Sequence, residues 1–339
     1  MRTKGKHLFV LTTLMALSCQ ASATAEPLPY VGVNLAGAEF QGSRIPGKVN
    51  SDYAYPFPKD IDYFLDRGMN TFRLPFRWER LQLNLGWDFE EEELARLNSV
   101  VSYITGRGAY VILDPHNYAR YFGKKIGSKE VPASALAELW KKLASLYKDN
   151  QRVIFGIMNE PHGLSAEEWR TIAEASIAAV RSTGAKNVVL VPGTAWTGAH
   201  SWLRARGGAS NGEALRTLSD PAGNMLFEVH QYLDNDFSGT KDECQNADIG
   251  AEKLKAFTGW LRENKQRGFL GEFGAGSSSV CLEALDRMLR YMADNSDVWQ
   301  GWTYWAAGSR WGNYPFSIQP SAEGDKPQMK VLTGYIRSP

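Results

Sequence analysis

Short apolar runs alternate with amphipathic segments along most of the chain. Eight of these runs are predicted to form strands, and they cover residues 31–35, 71–75, 110–114, 153–158, 188–191, 226–230, 268–272 and 301–305. They recur about every 40 residues, which is the period expected of a strand and a helix joined by elaborated loops. The pattern therefore predicts repeated βα units.

Helical patterns fill the gaps between the predicted strands. Leu94, Leu97 and Val101 repeat at three- and four-residue spacing, which places them on one face of a helix. Ser165 and Glu168 have the spacing of a capping box and predict the start of another helix. The chain therefore has the pattern of an α/β protein throughout.

Two α/β architectures fit such a chain, a closed (β/α)8 TIM barrel and a doubly wound open sheet. The usual fingerprints of nucleotide-binding sheets are missing, because no Gly-x-Gly-x-x-Gly follows the first predicted strand and no Walker loop occurs. Eight units favour the barrel. The sequence contains no linker, internal repeat or appended module, so we predict one (β/α)8 TIM-barrel domain over residues 26–339.

The N-terminus is typical of a signal peptide covering residues 1–25. Basic residues between positions 2 and 6 precede a short apolar run at 8–17, and residues 23–25 form a small-x-small cleavage site. We expect cleavage after Ala25, with Ala23 as the alternative. The apolar run is too short to span a bilayer, so the mature protein is predicted to be secreted or periplasmic, without a membrane partner.

Two cysteines, Cys244 and Cys281, remain after the predicted cleavage. An exported protein meets an oxidising compartment, so we expect them to form a disulfide. Two buried free thiols are the alternative. Loop-closure entropy for cysteines this far apart gives about 4 kcal/mol as an upper value for the stabilisation.

Charge and composition narrow the choice of partners. Lys and Arg total 38 and Asp and Glu total 37, so the net charge of +1 gives no electrostatic reason to expect nucleic acid or an anionic membrane. The chain has 11 tryptophans, and indole rings stack on the C–H faces of sugars. An uncharged carbohydrate is therefore a reasonable partner, and we expect a monomer that needs no cofactor.

Polar and aromatic residues concentrate at the ends of the predicted strands. If the barrel is correct, the C-terminal ends of all eight strands meet on one face, which holds the active site. The candidates at these ends are Asn34, Arg73, His116, Asn159, Glu160, Trp196, His230, Tyr232, Glu272 and Trp305.

Glu160 and Glu272, at the fourth and seventh strand ends, suit glycoside hydrolysis with retention. That reaction uses one carboxyl group to protonate the leaving oxygen and another to attack the anomeric carbon. A catalytic metal is not expected, because the sequence contains no His-Glu-x-x-His or similar ligand spacing. A serine hydrolase is excluded by the lack of a Gly-x-Ser-x-Gly elbow after a strand.

An ordered set of motifs resembles glycoside hydrolase family 5, the cellulase family of clan A. These motifs are Phe72-Arg73-Leu74-Pro75, His116-Asn117, Asn159-Glu160-Pro161, His230-Gln231-Tyr232, Gly271-Glu272-Phe273-Gly274 and Trp302-Thr303-Tyr304-Trp305. Their order and strand positions match across essentially the whole mature chain. The run of residues 230–244 resembles the fungal-type endoglucanases of the family, which favours a β-glucan polysaccharide or oligosaccharide as substrate.

The resemblance implies a role for each matching residue. Glu160 would be the general acid/base and Glu272 the nucleophile, with Arg73 and Tyr232 donating hydrogen bonds to Glu272. Asn159 would bind the sugar 2-hydroxyl. The remaining candidates would line the cleft or contact substrate, and they are His116, His230, Asn34, Trp196 and Trp305.

Other residues and other functions have weaker support. A subsite role and a rim or packing role fit about equally for Glu39, Trp78, Trp196, Trp202 and Trp311. His162 and His200 are predicted to be surface or loop residues. The long loop at 193–224, which holds Trp196 and Trp202, is predicted to form a substrate-contacting wall. The leading hypothesis is a secreted retaining endo-β-1,4-glucanase. The alternatives are an endo-β-1,4-mannanase and a non-catalytic carbohydrate-binding barrel.

Overall fold

The computed structural model describes residues 28–322 and 324–336. The predicted signal peptide at residues 1–25 lies outside this part of the chain and stays a prediction, as do the exact ends of the domain.

Eight parallel strands close into a barrel in which each strand pairs with its neighbours in the chain and the last pairs with the first. In chain order they are β1 Tyr30–Leu35, β2 Thr71–Phe76, β3 Tyr110–Pro115, β4 Val153–Gly156, β5 Val189–Pro192, β6 Met225–His230, β7 Gly268–Glu272 and β8 Trp299–Ala307. The predicted TIM barrel is confirmed. The fourth strand ends earlier than predicted, so Asn159 and Glu160 lie in the loop that follows it.

Helices pack around the outside of the barrel. The longer ones are Pro58–Leu65, Glu91–Gly106, Ala133–Tyr147, Ala166–Ser182, Ile249–Glu263, Ser279–Asp294 and Pro327–Leu332. Short helical segments occur at Trp78–Leu81, Ala195–Thr197, Ala199–Ser201, Asn211–Ala214 and Thr333–Tyr335, and a small hairpin pairs Arg120–Tyr121 with Lys124–Lys125. The predicted capping box is present, since Ser165 Oγ accepts from Glu168 N at 3.1 Å and Glu168 Oε2 accepts from Ser165 N at 2.7 Å.

Cys244 and Cys281 form the predicted disulfide, with a Cα–Cα distance of 5.3 Å that is usual for such bonds. It joins the loop after β6 to the first turn of helix Ser279–Asp294. Within residues 28–322 and 324–336, no helix combines the length and apolar character needed to cross a membrane.

Candidate active site

The barrel lumen changes from apolar to charged along its axis. Side chains of alternate strand residues point to the same face of a sheet. Ile112, Leu226 and Phe269 form an apolar layer in the lumen. Asp114 lies two residues after Ile112 on β3, and Glu228 lies two residues after Leu226 on β6. The C-terminal half of the lumen therefore holds the charged groups.

A register shift in β7 turns Glu272 toward the lumen. β6 and β7 pair in register as far as Leu270, after which His230 pairs with Glu272 and Gly271 is left as an extra residue. Such a bulge changes the direction of the side chains that follow it. A Cβ atom on Gly271 would lie 2.0 Å from Glu228 Oε1, so this position requires glycine while Glu228 stays in place.

Arg73 is the central cation of the site and is almost fully buried. Its Nη1 atom lies 2.8 Å from Glu272 Oε1 and 3.0 Å from Asp114 Oδ2. Its Nε atom lies 3.1 Å from Glu228 Oε1, and Nη2 donates to Asn159 Oδ1 at 2.8 Å. Burial works to lower the pKa of Arg73, but the neighbouring carboxylates raise it above its usual value. The guanidinium is therefore a fixed positive charge.

Glu272 accepts hydrogen bonds on both carboxylate oxygens. Arg73 Nη1 donates to Oε1 at 2.8 Å and the Tyr232 hydroxyl donates to Oε2 at 2.8 Å. Burial and the nearby Glu272 charge raise the pKa of Tyr232 well above its usual value, so its hydroxyl keeps the proton that it donates. These two donors fix the orientation of the Glu272 carboxylate.

Glu160 reaches the same point from the loop after β4. Its backbone has φ +40°, a left-handed conformation that is uncommon for residues with a Cβ and recurs at active sites. His230 Nδ1 lies 2.8 Å from Glu160 Oε1, and the Glu160 side chain is 17% exposed against 5% for Glu272. One oxygen of Glu160 lies within 4.8 Å of one oxygen of Glu272.

His116 and Asp114 support the site from β3 and the residue that follows it. His116 Nδ1 lies 2.8 Å from Asp114 Oδ2, and its Nε2 atom lies 3.2 Å from Asn159 Nδ2. Burial lowers the pKa of His116 well below its usual value, and burial raises the pKa of Asp114 to about 7 although Arg73 opposes this. A neutral His116 that donates from Nδ1 and accepts at Nε2 satisfies both contacts.

Trp305 lines the site beside His116 as an aromatic surface. The two rings stack with centroids 5.5 Å apart and planes 17° apart. The edge of Trp311 packs against Trp305 at 5.7 Å, and Trp305 is about one-tenth exposed. The structure therefore places Trp305 next to the catalytic candidates, as predicted for a sugar-stacking residue.

A cavity of about 550 Å³ adjoins Glu160 on the side of the long loop. Its lining includes Tyr118, Glu160, Trp196, His200, His230, Tyr232 and Phe237. Trp196 is about half exposed and stacks on His162, with ring centroids 4.7 Å apart. His200 lines this cavity and His162 stacks on Trp196 at its wall, so these two residues, which were predicted only as surface or loop residues, lie beside the candidate site. The position of His162, two residues after Glu160, was the available signal.

Two expectations about binding residues disagree with the structure. Asn34 is fully buried, its amide nitrogen donates to three backbone carbonyl oxygens and its Oδ1 accepts from Arg73, so it cannot contact substrate as predicted. Trp202 is also buried and packs against Phe257, which restricts the predicted substrate wall to the Trp196 side of the loop. Trp78 is buried and its indole N–H donates to a glutamine, so it has the packing role, which was one of the two roles predicted for it.

Two functional candidates, Asp114 and Glu228, were missed by the sequence reasoning. Both are almost fully buried inside strands and contact Arg73. A charged residue within an otherwise apolar strand was the available signal, because buried carboxylates need a compensating partner.

Glu160, His230 and Glu272 each offer a ligand atom within 4.8 Å of the others, so they could hold a metal ion by distance. Arg73, His230 and Tyr232 already donate to or pair with these carboxylates. The prediction that no metal is required stays a prediction.

Comparison with known proteins agrees with this geometry. The family model described as cellulase, glycosyl hydrolase family 5, matches residues 33–308. The chain belongs to this family. The protein is therefore a glycoside hydrolase, and the resemblance inferred from the strand-end motifs is confirmed.

Several similar proteins have related names. The chain is 39% identical over 321 residues to endo-beta-1,4-glucanase B of Aspergillus niger, covering 91% of this chain and 94% of that protein. The structure of XacCel5A in complex with cellopentaose has a TM-score of 0.90 and 54% identity, covering 91% of this chain and 99% of that one. The endo-beta-1,4-glucanase Xac0029 from Xanthomonas axonopodis pv. citri has a TM-score of 0.89 and 50% identity, covering 91% and 98%.

Proposed function

We propose that this glycoside hydrolase is a retaining endo-β-1,4-glucanase that acts on cellulose or soluble β-glucans. The observation that carries the mechanism is the spacing of Glu160 and Glu272, whose oxygens approach within 4.8 Å. Retaining enzymes hold their two carboxyl groups about 5 to 5.5 Å apart, whereas inverting enzymes need about 6.5 to 9.5 Å to admit a water molecule. The names of the similar proteins and the cellopentaose complex of one of them support a β-glucan substrate.

The first step of the reaction forms a covalent glycosyl-enzyme. Glu160 gives its proton to the glycosidic oxygen while Glu272, oriented by Arg73 and Tyr232, attacks the anomeric carbon. Asn159 directs one N–H toward His116, and because an amide nitrogen carries two N–H groups, the second serves the sugar 2-hydroxyl. That contact strengthens in the transition state.

The second step releases the sugar and restores the enzyme. Glu160, now a carboxylate, takes a proton from a water molecule, which attacks the anomeric carbon and displaces Glu272. The departing Glu272 carboxylate again receives the hydrogen bonds of Arg73 and Tyr232. Two inversions give net retention of configuration.

Matched amide variants test the assignment of the two carboxylates. Glu160→Gln and Glu272→Gln should each fold and lose nearly all activity on carboxymethyl-cellulose. With 2,4-dinitrophenyl β-cellobioside, whose leaving group needs no acid, Glu160→Gln should accumulate a cellobiosyl-enzyme visible by mass spectrometry, and Glu272→Gln should not. Proton NMR of the first product should show the β-anomer. An α-anomer, or substantial turnover of carboxymethyl-cellulose by either variant, would reject the mechanism.

The substrate and location of the proposed enzyme need separate tests. Parallel assays on β-glucan and β-mannan should show preference for glucan, and a preference for mannan would identify a mannanase instead. N-terminal sequencing of the exported protein should begin after Ala25, which would support the export that the disulfide favours. Light scattering of the purified protein should give the mass of a monomer.

A further inference from the structure

His230 stands between the two catalytic candidates and a third carboxylate. Its Nδ1 atom lies 2.8 Å from Glu160 Oε1 and 3.5 Å from Glu272 Oε2. Its Nε2 atom lies 3.5 Å from Glu228 Oε1. His230 is 3% exposed and Glu228 is 1% exposed, so solvent does little to screen these contacts.

Both ring nitrogens of His230 therefore face carboxylate oxygens. A neutral imidazole carries a proton on one nitrogen and a lone pair on the other, so a neutral His230 would direct a lone pair at a carboxylate. Neither His230 Nε2 nor Glu228 Oε1 has a hydrogen bond with another group among the described residues. The partner of His230 Nε2 is therefore the Glu228 carboxylate at 3.5 Å, and Glu228 Oε1 lies between this nitrogen and Arg73 Nε, which is 3.1 Å away.

His116 shows the opposite arrangement in the same site. Its Nδ1 atom also faces a carboxylate, that of Asp114, but its Nε2 atom faces the amide nitrogen of Asn159. An amide N–H is a donor, and it stabilises a lone pair on Nε2. The two histidines differ at the partner of Nε2, which is an amide for His116 and a carboxylate for His230.

We infer that Glu228 is a positioning residue for the acid/base: it keeps Nε2 of His230 protonated and so fixes His230 as an imidazolium that donates from Nδ1 to Glu160. This inference rests on the proposed function, since it assigns a role within the double displacement. With Nδ1 as a donor to Oε1, the acid proton of Glu160 resides on the other oxygen. A lone pair on Nδ1 would instead attract that proton away from the sugar.

The imidazolium also matches the movement of charge during the proposed reaction. Before the first step Glu272 is the ionised carboxylate, and after it Glu272 is an ester and Glu160 is ionised. His230 Nδ1 contacts an oxygen of each. One fixed cation therefore lies beside the negative charge in both states, without a proton moving to or from His230.

The surrounding charges agree with this assignment. Burial works to lower the pKa of His230, but the carboxylates around it raise that pKa to about 10. The titratable groups that act on His230 come from several strands and strand ends, and they are Glu160, Glu228, Glu272, Asp114 and His116. Arg73 also pairs with Glu228 at 3.1 Å, which holds this carboxylate ionised because its pKa is lowered by Arg73 despite burial.

Nitrogen NMR of the imidazole side chains tests the inference directly, and the chain has few histidines to assign, with 5 in total. In the unmodified enzyme both His230 nitrogens should stay protonated from pH 5 to pH 8, while His116 stays neutral. In Glu228→Gln the His230 pKa should fall by about one to three pH units, the effect of an opposite charge at this range. Glu228→Asp should restore the imidazolium, and Glu93→Gln, a buried carboxylate on helix Glu91–Gly106, should leave His230 unchanged.

The same inference predicts that the activity of Glu228→Gln declines at alkaline pH. In Glu228→Gln, kcat/KM should fall as pH rises through the lowered His230 pKa measured by NMR, and Glu228→Asp should recover the original profile. A neutral His230 in the unmodified enzyme at pH 6 would overturn the inference even if Glu228→Gln failed to fold, and so would a His230 titration that Glu228→Gln leaves unchanged. The NMR result does not depend on turnover, so it is distinguishable from failure of the proposed function.

Discussion

At the scale of single residues, the site works because each carboxylate has a different set of partners. Glu272 is held by Arg73 and Tyr232, while Glu160 has His230 as its partner and a side chain that is partly open to the cleft. These different environments support the proposed assignment of one carboxyl group as acid and the other as nucleophile, although the two side chains are chemically identical.

Tyr232→Phe should slow the breakdown of the glycosyl-enzyme more than its formation. The Tyr232 hydroxyl donates to Glu272 Oε2 at 2.8 Å, and negative charge returns to this carboxylate as the sugar leaves. A hydrogen bond to a charged group contributes about 1.5 to 3 kcal/mol, so kcat should fall about 10- to 100-fold. Stopped-flow assays with 2,4-dinitrophenyl β-cellobioside should show a burst of dinitrophenol. Unchanged kcat without a burst would contradict this role.

Glu39 should make stability depend on pH. It is almost fully buried, its Oε2 accepts from Gly37 N at 2.7 Å, and its Oε1 has no hydrogen bond among the described residues. Burial raises the pKa of Glu39 from 4.5 to about 8, although the Gly37 bond opposes this. Between these values the folded state binds the proton and the unfolded state has released it, so the free energy of unfolding should fall as pH rises from 4.5 to 8.

The variant Glu39→Gln should remove this part of the pH dependence, because glutamine stays neutral. Between pH 5 and pH 8 the unmodified protein should lose a few kcal/mol of unfolding free energy through Glu39, as the size of its pKa change requires. The variant should not show this loss. Urea unfolding at both pH values measures the difference. Parallel pH profiles for the two proteins would show that Glu39 is not the group responsible.

At the scale of secondary-structure elements, the bulge in β7 is what brings Glu272 into the lumen. Gly271 is the extra residue at this point, and a Cβ there would meet Glu228 Oε1 at 2.0 Å. Glu228 cannot move away freely, because it is buried and paired with Arg73. The bulge, its glycine and the carboxylate beneath it therefore form one unit.

Gly271→Ala should lower kcat/KM by disturbing the bulge and Glu228 together. The added methyl group displaces Glu228, and with it the contacts to Arg73 and His230, so kcat/KM should fall at least about tenfold. Gly259→Ala is the matched control, because Gly259 lies in helix Ile249–Glu263 and a Cβ added there would meet no neighbouring side chain within 4 Å. It should be neutral or stabilising by up to about 1 kcal/mol. Equal kinetics for both variants, with circular dichroism confirming folding, would contradict the proposed unit.

The same elements show what sequence could and could not predict. The eight strands were predictable because buried strands of a parallel barrel are short apolar runs. Glu160 and Glu272 were found because one follows such a run and the other ends one. The burial of Trp202 and the half exposure of Trp196 could not be predicted from the sequence. Both residues lie in one loop, and its path depends on packing against distant helices. Glu228 was missed because the apolar pattern around it does not identify Arg73 as the residue with which it pairs.

At the scale of the whole molecule, the disulfide encloses one outer helix and the barrel strand that follows it, together with a catalytic candidate. Cys244 and Cys281 are 37 positions apart, and between them lie helix Ile249–Glu263, β7 and Glu272. Closing this loop restricts the unfolded chain, and the entropy model gives about 4 kcal/mol as an upper value. The bond is therefore expected to act on the stability of the barrel and not on its chemistry.

The double variant Cys244→Ser/Cys281→Ser should lose about 2 to 4 kcal/mol of unfolding free energy in urea. Its kcat should stay within about twofold of the unmodified enzyme where both are folded, because neither cysteine lines the cavity beside Glu160. Reducing the unmodified protein with dithiothreitol should reproduce the lower stability, which separates the lost bond from the serine substitutions. If the oxidised, reduced and double-variant proteins unfold at the same urea concentration, the cross-link does not stabilise the barrel, and its loop must already be restricted in the unfolded chain.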